Sequence, residues 1–398
     1  MVPHSGRIDS IVKSTRCVEN DVRSQPTEST RPHPARAREL TAGDILALRL
    51  TNQQIAMPTS TRPSDVIARL LAIQAQDYRG ALWSIGLRLR GSNVSQIERA
   101  IAERTIVRTW PMRRTLHFVA AADVKWLLRL LTPRAIKGMT GRLRRLEVDD
   151  KVLSRSRKAL ANALRDESLL TRDAVYDVLE RAKIPTANQR GIHILSRLSQ
   201  EGLLCFGPHR GKQPTFALLE EWISESRELD RDEALAELTV RYFRGHGPAT
   251  VRDLAWWSGI TLGDARAGVA MMASELAEES VGGKTYIVSR NACAVSAAAR
   301  RSARALYLLP GFDEYMLGYS DRSLALNPAH AAKIVPGNNG MFMPTIVARG
   351  RVIGTWRAAT SRRSMTVSPI PFEEMSARDT RALGAAAGRY EQFLQPEK

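Results

Sequence analysis

Cysteine is scarce in this 398-residue chain: Cys17, Cys205 and Cys293 are odd in number and far apart. Such a set supports neither a disulfide framework nor a zinc or iron–sulfur centre, and a reducing compartment suits it best. Long apolar runs are missing as well. The most apolar stretches, Trp126-Leu127-Leu128 and Leu306 to Pro310, break within a few residues, far short of the roughly 18 that a bilayer span needs. A protein that does not engage a membrane is expected. No Gly-rich phosphate loop, nucleophile elbow or Cys–His pair is evident, which argues against nucleotide hydrolysis and covalent esterase chemistry. The seven histidines form no pair at ligand spacing, so no metal and no other cofactor is expected. Acidic residues are also few. With 41 Asp plus Glu against 59 Lys plus Arg the formal charge is +18, a field that attracts polyanions, of which nucleic acid is the commonest in a cytosol. A cytoplasmic, nucleoid-associated protein is the corresponding expectation.

What is present suffices for real cores: 43% of the residues are apolar, and the length suggests roughly two to four domains. Residues 1–39 are rich in Pro, Ser and Thr with almost no apolar clustering, which predicts a disordered tail; a misassigned start codon would also account for it. The tail lacks the apolar centre of a secretory signal, and its acidic residues argue against a transit peptide. From Leu40 onward one pattern occurs three times: helices followed by two short β-rich runs around a turn. This is the plan of a winged helix. The first copy spans 40–119, with helices over 41–50, 64–74 and 94–104 and a hairpin over 105–119 turning at Pro111-Met112-Arg113-Arg114. Linking helices fill 120–165. The second copy, 166–225, has a helix capped by Thr171, another over 188–201 and a hairpin over 203–219. The third, 226–300, has helices capped by Thr250 and Thr261, the latter running to about Glu278, and a hairpin turning at Gly282-Gly283. Residues 301–398 predict a small α/β domain with its own core.

The charge is concentrated. Between Arg99 and Arg145 there are twelve basic residues and two acidic ones, and the first hairpin lies in that stretch, where winged helices press on a duplex. Arg108, Arg113, Arg114, Arg142, Arg144 and Arg145 are therefore candidate DNA contacts. Met112, at the turn, is a candidate wedge between base steps, and Trp110 reads as a core residue of the sheet. A second polar cluster is Gln74-Ala75-Gln76-Asp77, where the expected helix ends; two glutamines at i and i+2 point the same way only if the chain extends there. Asp313 and Glu314, adjacent in a Pro-Gly-Phe-Asp-Glu-Tyr turn, read as structural anchors for arginines, with a place facing a DNA cradle as the alternative.

These segments resemble a known family. Gln74-Ala75-Gln76 after an apolar helix, then Arg108-Thr109-Trp110-Pro111-Met112-Arg113-Arg114-Thr115-Leu116-His117, are similar to the winged-helix DNA glycosylases of the AlkZ type, as are Tyr242 to Thr250, Trp256-Trp257-Ser258-Gly259 and Leu308 to Tyr319. The resemblance covers about residues 40–395. It implies an α+β fold of three tandem winged helices in a C-shaped cradle, plus the small C-terminal α/β domain. It also implies that Gln74 and Gln76 are the catalytic pair and that double-stranded DNA bearing alkylated purines is the partner. The chain departs from the family at Arg114, where a Gly often stands. Alkylation at N7 of guanine already charges the leaving base, so neutral amides suffice to place water and steady the sugar; Asp77 is a competing candidate base. The expected activity is that of a monofunctional, monomeric DNA glycosylase acting on bulky N7-alkylpurines, with interstrand crosslinks as further substrates. A non-catalytic winged-helix DNA-binding protein is the alternative, and an RNA-binding factor is a third reading that rests on charge alone.

Overall fold

The computed structural model describes residues 40–292, 295–360 and 365–395; the expected tail, 1–39, lies outside the described residues. The first helix, Ala42–Asn52, starts one residue inside the expected 41–50, with Thr41 as its N-cap in a capping box with Asp44. The second, Pro63–Leu70, ends earlier than the spacing suggests. Leu71 takes a left-handed conformation (φ +67°), turning the chain out of the helix and into strand β1 (Ala72–Gln74). The helix expected over 64–74 is thus a helix followed by a strand. The reason is tertiary: β1 pairs antiparallel with the hairpin strand beyond it, and those ladder bonds outweigh the helical propensity of Leu, Ala and Gln.

Helices Tyr78–Gly86 and Val94–Ala102 follow, then β2 (Ile106–Met112) and β3 (Thr115–Ala120), joined by a tight turn at Arg113 and Arg114 with φ +49° and +63°. Helices Val124–Lys137, Thr140–Arg145 and Asp150–Ala163 make the expected link. The second unit contains β4 (Leu170–Thr171), helices Arg172–Arg181 and Arg190–Gln200, and the hairpin β5 (Leu204–Arg210) and β6 (Gln213–Leu218). The third contains helices Arg231–His246, Val251–Ser258 and Leu262–Met271, and the hairpin β7 (Leu276–Val281) and β8 (Lys284–Ser289). The helix after Thr261 stops seven residues short of Glu278 because that residue is in β7, opposite Ile287. Beyond residue 300 lie β9 (Leu306–Leu309), β10 (Thr345–Ala348), β11 (Arg351–Thr360), β12 (Met365–Pro371) and a closing helix, Ala377–Leu394.

The first two hairpins are not separate wings. They fuse into one six-stranded sheet, ordered β1-β3-β2-β5-β6-β4, with Arg108 opposite Phe206 at the seam. Strand β3 distributes its side chains among three cores: Phe118 to one, Val119 to a second, Leu116 to a third. The first core corrects the expectation of an independent C-terminal domain. Ile67, Ile73 and Phe118 pack in it together with Leu308, Ile346, Trp356 and Phe393, so the sheet β12-β11-β10-β9 completes the core of the first unit.

A charged pair crosses this junction. Arg88 and Asp313 are both fully buried, with Nη1 donating to Oδ2 at 2.8 Å and Nη2 to Oδ1 at 2.9 Å. Burial alone would raise the Asp313 pKa, but Arg88 and hydrogen bonds from Tyr315 N–H and Ser84 outweigh it and hold the carboxyl below its usual range. A depressed carboxylate contributes stability that is complete above its unfolded pKa, about 4, and is lost as pH falls through the folded value. Arg88→Met leaves Asp313 buried without its cation. The expected loss is about 3–5 kcal/mol, measured by urea unfolding at pH 7, with acid unfolding beginning at a higher pH than in the wild type.

Candidate active site

The segment Gln74-Ala75-Gln76 is held by its backbone from several sides. In β1, Gln74 lies opposite His117, and one step further the Ala75 N–H donates to Leu116 O at 2.7 Å. The Ala75 carbonyl accepts from Arg108 Nε and Nη2 at 3.1 and 2.8 Å. The Gln74 N–H donates to Glu314 Oε1 at 3.3 Å, and Gln76 Oε1 accepts from Leu116 N–H at 3.4 Å. The chain does extend where the helix ends, but the two glutamines sit in different surroundings. Gln74 is only 7% exposed, with Oε1 buried and without a hydrogen-bond partner among the described residues, whereas Gln76 is exposed. Asp77 is exposed beside it. It begins the helix Tyr78–Gly86 without capping it, and its carboxylate lies over Gly80.

Beneath Gln74 is a buried polar cluster around Glu314, which the sequence reads first as an arginine anchor, with a place facing a DNA cradle as the alternative. Glu314 is fully buried; its Oε2 accepts from Trp257 Nε1 at 2.7 Å and lies 3.3 Å from His246 Nε2. Burial would raise its pKa, but the His246 contact and the charge of Arg113 bring it below the usual value. His117 is also fully buried, and burial, reinforced by the Arg113 charge, pushes its pKa down to about 3. It is neutral at any physiological pH. With Nδ1 facing Thr115 O at 2.9 Å, a carbonyl that can only accept, its proton sits on Nδ1 and Nε2 is a bare acceptor. His117 therefore cannot serve as a general acid at neutral pH.

The expected DNA contacts divide. Arg108 is buried, stacked near Tyr78 and Phe206, and desolvation lowers its pKa to about 10, against the opposing pull of Tyr78 and Asp77. Met112 is 1% exposed and part of the second core, so in this conformation it is not a wedge. Arg113 is corrected too: the left-handed turn folds its side chain inward, where Nε and Nη2 are buried toward Glu314 and the guanidinium stacks on Trp256 at 5.1 Å. Trp110 is a core residue, as expected. Arg114, Arg144 and Arg145 are exposed, and Arg142 is half-buried against Gln189 and His193. Others of the twelve basic residues are engaged by the protein itself, as in Arg104–Glu167, Lys125–Glu220 and Arg134 with the Gly259 and Ile260 carbonyls. A basic run in sequence is thus partly a set of structural ties. Among the described residues no three His, Cys, Asp or Glu side chains converge as metal ligands, and no helix is long and apolar enough to cross a membrane.

The body that carries this glutamine pair, mixed helix and sheet, is that of a family of DNA glycosylases. The chain belongs to the AlkZ-like DNA glycosylase family, whose model matches residues 67–393 and so includes the whole site. It is similar to the interstrand DNA cross-link repair glycosylase of Streptomyces sahachiroi, at 27% identity over 342 residues, 83% of this chain and 91% of that protein. The solved structure of Streptomyces sahachiroi DNA glycosylase AlkZ has the same fold, with a TM-score of 0.75 at 24% identity, covering 89% of this chain and 97% of that one.

The inward path of Arg113 makes its own test. Arg114→Ala removes an exposed cation beside the site and is expected to reduce the slope of log affinity against log salt, for an undamaged duplex, by about 0.9. Arg113→Met is expected to leave that slope unchanged. Fluorescence anisotropy across a salt series measures both.

Proposed function

We propose that this chain is a monofunctional, monomeric DNA glycosylase that hydrolyses the N-glycosidic bond of bulky N7-alkylpurines in double-stranded DNA, and that it unhooks interstrand crosslinks. The observation that carries this reading is the pinning of Gln74-Ala75-Gln76 through its main chain. Backbone ties to Leu116, Arg108 and Glu314 fix the segment, so the Gln74 Oε1 is left without a partner among the described residues, while the exposed Gln76 keeps its amide nitrogen for a ligand and its Oε1 takes the Leu116 N–H. The three helix-and-hairpin units are read as winged helices that line a C-shaped cradle for the duplex, with the exposed Arg114, Arg144 and Arg145 following phosphates. Arg142 adds its charge from a half-buried position.

The chemistry asks little of the protein. An N7-alkylated purine carries a positive charge, and breaking the bond between C1′ and N9 returns that electron pair to the base and neutralises it. The sugar acquires oxocarbenium character, and a water oxygen adds to C1′ with loss of a proton. Gln76, exposed, is assigned to placing the water, and Gln74 to orienting the deoxyribose from below, both acting as fixed dipoles in a partly dehydrated site. No lysine sits in the motif for a Schiff base, so the product is an abasic site in an unbroken strand. Asp77, exposed and free of a capping role, is the competing base. Family membership disfavours the non-catalytic alternative.

Single-turnover excision from a duplex containing a bulky N7-alkylguanine tests the assignment. Gln74→Ala and Gln76→Ala are each expected to slow base release by roughly 10- to 1,000-fold, the range for loss of one positioned polar group, with duplex affinity and thermal melting near wild type. If Asp77→Asn is the most damaging change and the glutamine variants are nearly silent, Asp77 is the base. An intact lesion with excess wild-type enzyme overturns the function itself.

A further inference from the structure

A second feature adjoins Gln76. Between the β2–β3 hairpin and the second unit lies a cleft of about 430 Å³ whose lining includes Gln76, Arg108, Arg114, Arg172, His193 and Ser196 over an apolar floor. That volume is in the range of ligand pockets, roughly 300–1,000 Å³. No acidic side chain lines it. Arg114, from the hairpin turn, and Arg172, from the first turn of the helix Arg172–Arg181, are exposed, and neither makes a hydrogen bond or ion pair among the described residues. This sets them apart from neighbours such as Arg104 and Arg134, which the protein itself engages. Arg108 is different again. Its Nε and Nη2 both donate to Ala75 O, so the edge of the guanidinium that carries them is already used and it adds mainly charge to the cleft.

The chemistry of the occupant follows from this lining. Three guanidiniums over Trp110, Phe206 and Phe216 repel a cation, so an N7-alkylated base is not the guest. An anion with two or more acceptor oxygens suits them, because a guanidinium offers a planar fork of donors and two forks converge from separate elements. His193 stands with them as a neutral group, since burial and the charges of Arg142 and Arg114 lower its pKa. Because Gln76 shares the cleft, an anion held there lies close to the sugar on which Gln76 is read to act.

We propose that this cleft is a phosphodiester clamp: Arg114 and Arg172 together bind one backbone phosphate of the lesion-bearing strand beside the damaged nucleotide, and so set the position of its sugar relative to Gln76. Arg172 lies well away in sequence from the basic run, in a segment with no excess of charge. The inference rests on the glycosylase reading, and its test separates the two.

Duplexes with one bulky N7-alkylguanine carry a single neutral methylphosphonate at each of the three phosphates on either side of the lesion, in turn. With wild-type protein, one position is expected to weaken binding by roughly tenfold, as for loss of a charge-assisted hydrogen-bonded pair. At that position Arg172→Ala is expected to show no further loss, while at the other five the two effects multiply. The salt slope of Arg172→Ala is expected to fall by up to about 0.9, the share of one phosphate, with Arg172→Lys restoring it in part. Multiplying effects at all six positions, or an unchanged salt slope, overturn the clamp even where base release is normal. Coupling at one position without base release by the wild type retains the clamp and overturns the glycosylase reading. Calorimetry with inorganic phosphate alone supplies the remaining arm: binding in the micromolar range that Arg172→Ala abolishes assigns the cleft to a free anion and overturns the strand contact.

Discussion

Two adjacent carboxylates, Asp313 and Glu314, hold this structure together from inside. Both are fully buried, and they reach in different directions. Asp313 takes the guanidinium of Arg88 and the hydroxyl of Ser84, fastening the C-terminal sheet to the first helices. Glu314 takes the Gln74 N–H, the Trp257 indole and a contact with His246, fastening β1 to the third unit. Two buried anions are costly unless every lone pair finds a donor. Here the donors come from elements remote in sequence, so the carboxylates are satisfied only when the whole body has assembled. That is why the C-terminal region shares a core with the first unit and does not stand as a separate domain.

The same constraint explains how a segment as small as Gln74-Ala75-Gln76 can be a site. A three-residue strand has little hold of its own, and Leu71 enters it through a left-handed turn. The hydrogen bonds with Glu314, Leu116 and Arg108 supply that hold, almost all through the main chain, with Gln76 Oε1 the one side-chain atom drawn in, by the Leu116 N–H. His117, neutral and buried opposite Gln74, contributes shape and a bare acceptor, not a proton. The arrangement suits a reaction whose leaving group is already charged, because it provides placement and dipoles and no acid.

Much of the plan was legible in sequence because it is local. Thr171, Thr250 and Thr261 cap the helices they were expected to cap, and Gly282-Gly283 turns its hairpin. The Gln pair stood out through its spacing and its family resemblance. What sequence did not reveal was non-local. Nothing in Leu70-Leu71-Ala72-Ile73-Gln74 announces that the helix gives way to a strand, since the partner strand lies some forty residues on. Arg113 and Arg114 are the same residue type side by side, yet one turns inward and the other outward because of the turn geometry. Arg88, between two leucines, gave no sign that it pairs with a carboxylate more than two hundred residues away. The Arg99 to Arg145 run overstated the DNA surface for the same reason: composition counts charges, and only the fold says which of them the protein has already used.

With its hydrogen bond to the Gln74 N–H, Glu314 is proposed to act on base release through the seat it gives Gln74. A double-mutant cycle on single-turnover base release measures it directly, with Glu314→Gln, Gln74→Ala and the double variant compared at a temperature where circular dichroism finds all of them folded. If Glu314 works through Gln74, Glu314→Gln slows release without weakening duplex binding, and the double variant is no slower than the slower single one. If the two losses multiply in full, Glu314 does not work through Gln74, and the buried carboxylate is a structural tie alone.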